Sequence, residues 1–440
     1  MKAVTVHRGS RDGYQVARAL SEAGLLETLV TDLYWPADRP WARKIEQRAP
    51  ASLRAALKCR WSEGLPSRAV ESCWLTGMAA YLAHERNWLS FDSARRAIRR
   101  CDGTLGRRAG RIARDRNAAI LAYSYYGHSA FSCHGGDQPR ILFQLHPHPS
   151  AVRSILQRER RLHPDCAVSL DKEWELALPE ADYLQLVNEA GMAHRVITAS
   201  NFTKSTLVDA GIAAERIAVV PYGIDADRYS RGTRTRGPRE PLRLLFVGTL
   251  GQRKGIKYLI QALEMLPRDA VELTVCGRAV DDLEIFHRSS ARIRLLPSVS
   301  AEGLLEAYRN ADVFVFPSLA EGFAQVILEA LASGLAVIAT TRTAAPDLIR
   351  HGREGFIIEP GSAAQMALHI EEFLRLPEIL APMRAAARRR AEHFSWGLFR
   401  QEIAKFVGGV LNPASSVGLP SVGLSATGLS ATGRETVVSR

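Results

Sequence analysis

Two glutamates, Glu321 and Glu329, stand eight positions apart in the stretch EGFAQVILEALASG, among residues that are mostly apolar or small. A carboxylate set among Val326, Ile327, Leu328, Ala330 and Leu331 is costly to bury unless it is paired or hydrogen-bonded. Either an ordinary helix exposes Glu329 to water, or a ligand uses its oxygens as acceptors. The turn ahead of the helical pattern, Ala320-Glu321-Gly322-Phe323, has a glycine that lets backbone approach a ligand closely. The free N–H groups and the dipole at a helix start favour an anion by about 0.3–2 kcal/mol. A phosphate at the helix start, a sugar hydroxyl on Glu321 and ribose hydroxyls on Glu329 account for all three features. A second stretch, FVGTLGQRKGIKYLIQAL, passes from a strand through a glycine turn to Arg253, Lys254, Gly255 and a helix. Two cations at that strand end suit a departing diphosphate, because fixed charge helps most where opposite charge develops. The plain alternative is a solvated turn.

These residues need a scaffold, and the chain is long enough for two or three domains, at 440 residues. Hydrophobic residues make up 46% and charged residues 24%, the balance of a globular chain rather than a disordered one. No run approaches the ~18 apolar residues of a membrane span, and MKAVTVHRGS lacks the apolar core of a signal peptide. The six cysteines are scattered without C-x-x-C spacing, which argues for reduced thiols and against a disulfide framework or a zinc site.

Apolar runs at 3–7, 25–32, 118–124, 140–146, 196–200 and 217–223 predict strands, with helical patterns at 13–23, 150–162, 172–190 and 202–210 between them. A second series has strands at 242–248, 271–277, 293–296, 312–318, 335–341 and 355–360. Its helices fall at 256–266, 301–310 and 323–333. Such alternation predicts α/β architecture, two doubly wound parallel sheets facing a cleft. The first unit spans 1–229 and the second 241–393, joined by the polar linker 230–240. A helix at 394–411, with Trp396, Phe399, Ile403 and Phe406, returns to the first unit. The small-residue repeats of 412–440 predict disorder.

The second half resembles the nucleotide-sugar-binding domain of family 4 glycosyltransferases, retaining enzymes of GT-B fold. The resemblance rests on FVGTLGQRKG, YRNADVFVFPSLAEGFAQVILEALASGLAVIATT and REGFIIEP, in order, with TASNFTKSTLVDAGIAAERIAVVPYGID closing the first domain. It implies that Glu321 faces the donor sugar, that Gly322 and Phe323 offer backbone donors to it, and that Glu329 binds ribose. Lys254, preceded by Arg253, would meet the diphosphate. Two positions depart from the family pattern. Thr249 stands where many members have arginine, which would shift phosphate neutralisation onto Arg253, and Ala324 replaces a usual glycine, which would tighten the sugar pocket. In FQLHPHP the family histidine near the reacting sugar is His146 or His148, with His146 favoured because it follows the apolar run directly. Gly9, in the turn after the first strand, is similar to the glycine that makes room for the donor phosphate. Asp225-Ala226-Asp227 has the form of a metal-holding pair in another glycosyltransferase fold. Here it follows VVPYGI, the family's inter-domain loop, and the resemblance implies neither metal nor cofactor.

Residues 91–116 hold nine arginines against Asp92, Asp102 and Asp115, a net +6 of the chain's +12. Phe91, Ala94, Ile98, Cys101, Leu105 and Ile112 form an apolar stripe, with Gly103 and Gly106 expected to break the helix. Arg95, Arg99, Arg107 and Arg111 are expected on a solvated face, against an anionic membrane surface or simply in water. The reading is a cytoplasmic glycosyltransferase, peripheral at the inner membrane face if that surface binds lipid. It takes a nucleotide-sugar donor and a saccharide or lipid-linked acceptor, with no nucleic acid, in envelope polysaccharide or glycolipid synthesis. A nucleotide-sugar epimerase of the same fold, or a non-catalytic nucleotide-sugar or membrane-binding protein, remains as the alternative.

Overall fold

Runs such as AVTV, AILAY, VFVF and AVIAT have few polar positions because each becomes a strand buried on both faces. In the computed structural model, β1 (Ala3–Val6), β2 (Leu26–Thr31), β3 (Val70–Ser72), β4 (Ala119–Tyr123), β5 (Arg140–Gln144), β6 (Arg195–Thr198) and β7 (Ile217–Val219) form one parallel sheet, ordered β3-β2-β1-β4-β5-β6-β7. A second parallel sheet contains β8 (Leu242–Val247), β9 (Val271–Cys276), β10 (Arg292–Leu296), β11 (Val313–Phe316), β12 (Ala336–Thr340) and β13 (Gly355–Ile358), ordered β10-β9-β8-β11-β12-β13. Strand order reverses between β1 and β4 and again between β8 and β11. Ligands of such sheets bind outside the carboxyl ends at those reversals. The structure describes residues 1–78, 91–229, 240–280 and 291–412, with positions 237, 286 and 289. Most of the linker expected over 230–240, and the tail beyond 412, lie outside them.

Each sheet has its own apolar core. The helix Trp396–Leu411 lays Phe399, Ile403, Val407 and Leu411 into the first core, and Arg400 adds an ion pair to Glu22 at 2.9 Å. Two expectations need correction. The helix expected over 172–190 is two, Trp174–Ala177 and Glu180–Met192, because Pro179 holds Leu178 in the extended region between them. The basic segment forms one unbroken helix, Phe91–Asp115, and its glycines do not end it. A Cβ on Gly106 would lie 2.8 Å from Tyr126 O, and one on Gly110 2.2 Å from Ala130 O. The bare backbone is what lets the helix Gly127–His134 pack so closely against it.

The same packing overturns part of the arginine expectation. Arg95 and Arg99 are buried: Arg99 donates to Tyr125 O at 3.0 Å, and Arg95 lies 5.7 Å over the Trp174 ring. The other seven arginines of 91–116 are exposed, and among them the spacing of Arg96, Arg100, Arg107 and Arg111 puts those four on one face.

The two domains meet through polar contacts. Glu159 of the helix Pro149–Leu162 accepts from Gln252 Nε2 at 2.7 Å and from Tyr258 Oη at 3.0 Å. Lys257 pairs with Asp165, and Asn201 donates to Asp347.

Candidate active site

The cleft between the sheets encloses a cavity of about 360 Å³ lined from both sides. From the second sheet come Thr249 and Lys254, in the turns after β8, and Glu321, Gly322, Phe323, Ala324 and Gln325, after β11. From the first sheet come Arg11, Leu145, His146 and Tyr222.

Gly255, at φ 75°, ends the turn that carries Lys254, and a Cβ there would lie 2.1 Å from Pro317 O. This close approach brings the β8 turn against the β11 turn. Lys254 Nζ pairs with Glu321 Oε1, and Ser318 Oγ donates to the same oxygen at 2.9 Å. Burial alone would push the Glu321 carboxyl up, but Lys254 and Arg253 outweigh it and hold it below its ordinary range. Glu321 is therefore a buried carboxylate that keeps its charge.

Gly322 makes the tightest contact with the first domain. A Cβ there would lie 1.8 Å from Leu145 O, and its carbonyl accepts from Ser200 Oγ and Thr203 Oγ1. Ala324 has a left-handed backbone, φ 66°, and caps the helix Gln325–Ala332 without a side-chain bond. The helix thus starts two residues later than the pattern suggested. Phe323 packs edge-on to Tyr222 with ring centroids 5.2 Å apart, and Gln325 Nε2 donates to Gly223 O at 2.9 Å.

Glu329 lies further along that helix and does not line the cavity. Tyr308 Oη donates to its Oε2 at 2.9 Å, and the Tyr229 hydroxyl bonds it as well. Burial holds its carboxyl above the ordinary range despite both phenols. The two tyrosines answer the opening puzzle of a carboxylate in an apolar helix.

Arg253 does not line the cavity either. Its Nη1 lies 3.0 Å from Glu173 Oε2 and 3.4 Å from Glu175 Oε2, and its Nε donates to Ala320 O. Arg253 is thus engaged by carboxylates of the first domain, Glu173 and Glu175. Sequence reading missed both glutamates because nothing local links them to residue 253. Gly9 also differs from expectation: its amide donates to Asp32 Oδ1 at 2.8 Å and does not face the cavity.

The two histidines separate cleanly. His148 caps the helix Pro149–Leu162, with Nδ1 2.6 Å from Ser150 Oγ and Nε2 3.2 Å from Val187 O. His146 faces the cavity, edge-on to Tyr125, and its Nδ1 is buried without a hydrogen-bond partner. Burial, reinforced by Arg253, holds its pKa down to about 3, so the ring is neutral at pH 7. Neither Asp225 nor Asp227 lines the cavity; Asp227 is fully exposed, 3.9 Å from Arg388.

Residues 234–391 match the family model of the group 1 glycosyl transferases. That match falls on the second sheet and its helices, the part of the chain that carries Lys254 and Glu321. The chain is 35% identical over 208 residues to a D-inositol 3-phosphate glycosyltransferase of Geodermatophilus obscurus, a match covering 42% of this chain and 46% of that protein. The chain thus spans about half the length of the curated relatives it matches. Among solved structures, Anabaena Alr3699/HepE in complex with UDP-glucose aligns over 93% of this chain and 100% of its own, with TM-score 0.58 and 18% identity. Sucrose-phosphate synthase from Thermosynechococcus elongatus aligns over 94% and 100%, with TM-score 0.61 and 15% identity. These likenesses extend beyond the group 1 domain to both sheets, and the fold is GT-B.

Proposed function

We propose that the protein is a retaining glycosyltransferase that moves a sugar from a nucleoside diphosphate sugar to a hydroxyl of a saccharide or lipid-linked acceptor. The observation that carries this reading is the Lys254–Glu321 pair, set in the inter-domain cavity beside the neutral ring of His146. The bond between the anomeric carbon and the phosphate oxygen breaks, and its electrons go to the departing diphosphate. Lys254 and the amides at the helix start near Gln325 stabilise that charge. The acceptor hydroxyl attacks from the same face, and its proton leaves with the phosphate oxygen. Glu321 orients the sugar, and Glu329, once released by Tyr308 and Tyr229, takes the ribose hydroxyls. The relative named for D-inositol 3-phosphate and the neighbour solved with UDP-glucose support a phosphorylated acceptor and UDP-glucose as first probes.

Among the described residues no helix is long and apolar enough to cross a membrane. We place the enzyme on the cytoplasmic side, with the arginine face of the helix Phe91–Asp115 against anionic lipid. Vesicle co-sedimentation tests this placement: Gln at Arg96, Arg100, Arg107 and Arg111 should abolish binding at low salt, and binding that survives removes it.

The activity is tested by incubating the full chain with UDP-glucose and other nucleotide sugars, with and without saccharide acceptors. Acceptor-dependent release of the nucleoside diphosphate is expected. A free, altered sugar formed without acceptor would make it an epimerase. No donor-induced thermal shift and no release from any donor would remove the reading.

A further inference from the structure

Arg11 has no place in the motifs that identify the second domain, yet it lines the same cavity as Thr249, Lys254 and Glu321. It opens the turn after β1, at the carboxyl end beside the β1/β4 reversal. The turn is held in an unusual shape. Asp12, Gly13 and Tyr14 all have left-handed backbones, at φ 46°, 62° and 64°. Such strain persists only when surrounding contacts over-determine it. Here the contacts are visible: the Asp12 carboxylate accepts from Tyr123 Oη and from the Gln15 amide at 3.1 Å. The turn sets Arg11 at the cavity that the second domain also lines.

The guanidinium at its end is incompletely satisfied. Arg11 Nε is buried without a hydrogen-bond partner, and its bonding neighbour is the Tyr126 hydroxyl. Among the described residues Arg11 forms no ion pair with a carboxylate. Arg8, three residues earlier, is paired with Asp102 at 3.1 Å, and Arg253 has Glu173 and Glu175. A buried guanidinium donor left open is costly and calls for an acceptor, most effectively an anion.

The second domain lacks a charge at the matching place. Residue 249, directly after the β8 strand-end glycine, is Thr, and Arg253 is already engaged with the two glutamates. Among the described residues that line the cavity from that wall, Lys254 is the one cation, and it is shared with Glu321.

We propose that Arg11 supplies the second cation of the donor site from the opposite domain, its guanidinium taking the diphosphate oxygens that an arginine at position 249 would otherwise take. This rests on the donor-site reading above. It makes diphosphate binding depend on both domains, because Lys254 and Arg11 line one cavity from opposite sides.

Titration calorimetry of the full chain with UDP and GDP tests it. For whichever diphosphate the wild type binds, Arg11→Gln should weaken affinity by about 10- to 100-fold, the loss of a charge-assisted contact. Thr249→Arg, added to Arg11→Gln, should restore most of it, an effect no merely structural role for Arg11 would produce. Should Arg11→Gln fail to fold, Arg11→Lys serves: it keeps the charge, loses the planar fork and should weaken binding less. A folded variant that binds the diphosphate as the wild type does overturns the proposal. So does intact diphosphate affinity with a raised KM for a phosphate-bearing acceptor, which would assign Arg11 to the acceptor. If the wild type binds neither diphosphate nor any nucleotide sugar, the donor-site reading itself falls, and this proposal with it.

Discussion

On the cleft wall built by the second sheet, the charged groups already answer one another. Lys254 and Ser318 satisfy Glu321, and two tyrosines hold Glu329. On the wall built by the first sheet, Arg11 Nε and His146 Nδ1 are buried without hydrogen-bond partners. One wall is complete before a ligand arrives and must open its ion pair to accept one. The other is incomplete until a ligand fills it. A donor held between the two walls would complete the second one and exclude water from the reacting centre.

The strongest way to break the comparison is to hold the walls apart. Gly322→Ala would place a Cβ 1.8 Å from Leu145 O. Displacement of about 1 Å at a reacting centre costs about 100-fold in rate. Transfer should fall by at least that much while thermal unfolding of the second domain stays near wild type. Unchanged transfer would show that the walls need not touch.

Removing the partner inside the complete wall comes next. Lys254→Ala leaves Glu321 as a buried carboxylate with one neutral donor and should destabilise the protein by about 2 kcal/mol. Adding Glu321→Gln should recover part of that loss, because the charge no longer needs a partner. Denaturant melts of the single and double variants check this, and additive losses would mean that the pair is not coupled.

The walls also differ in the sign of their pH response. Glu321, held below its ordinary 4.5, contributes stability above that value and loses it as pH falls through its folded pKa. Asp12, pushed up to about 7 by burial, does the opposite: its contribution is complete below 3.8 and is lost as pH rises through about 7. The wild-type profile therefore declines between about pH 4 and 7 through this group, and Asp12→Asn should flatten the decline. Melting temperatures across that range would show it, and an identical slope in the variant would mean that Asp12 does not titrate there.

The smallest effect concerns strain. Ala324 sits at φ 66°, where a Cβ costs about 1–2 kcal/mol and glycine little. Ala324→Gly should relieve that strain at the expense of a freer unfolded chain, a net gain of about 0.5–1 kcal/mol. A loss of stability would mean that the methyl group packs well enough in the cavity to justify the strained backbone.

Much of the complete wall was legible because its residues are close in sequence. Glu321, Gly322, Phe323 and Ala324 follow β11 directly, and Thr249 and Lys254 follow β8, so strand-end positions alone put them at one crevice. The partners of Glu329 were not legible. Tyr308 is a helix away and Tyr229 precedes the linker, and neither spacing has meaning until the chain folds. The incomplete wall was harder still. His146 was visible at a strand end, but the turn after β1 offered Gly9 as the obvious residue, and only the fold shows Gly9 bonded to Asp32 and Arg11 in the cavity.

By itself the sequence determined two parallel sheets, the strand ends where chemistry gathers, and a pair of cations, Arg253 and Lys254, at the same crevice as Glu321. Hydrophobic period and turn residues are local and survive in one dimension. The tertiary structure alone decided which charges are free to meet a ligand. It buried Arg95 and Arg99, tied Arg253 to Glu173 and Glu175, and left Arg11 open. Whether a charge is satisfied depends on atoms brought within a few ångströms by folding, and no spacing along the chain records that distance.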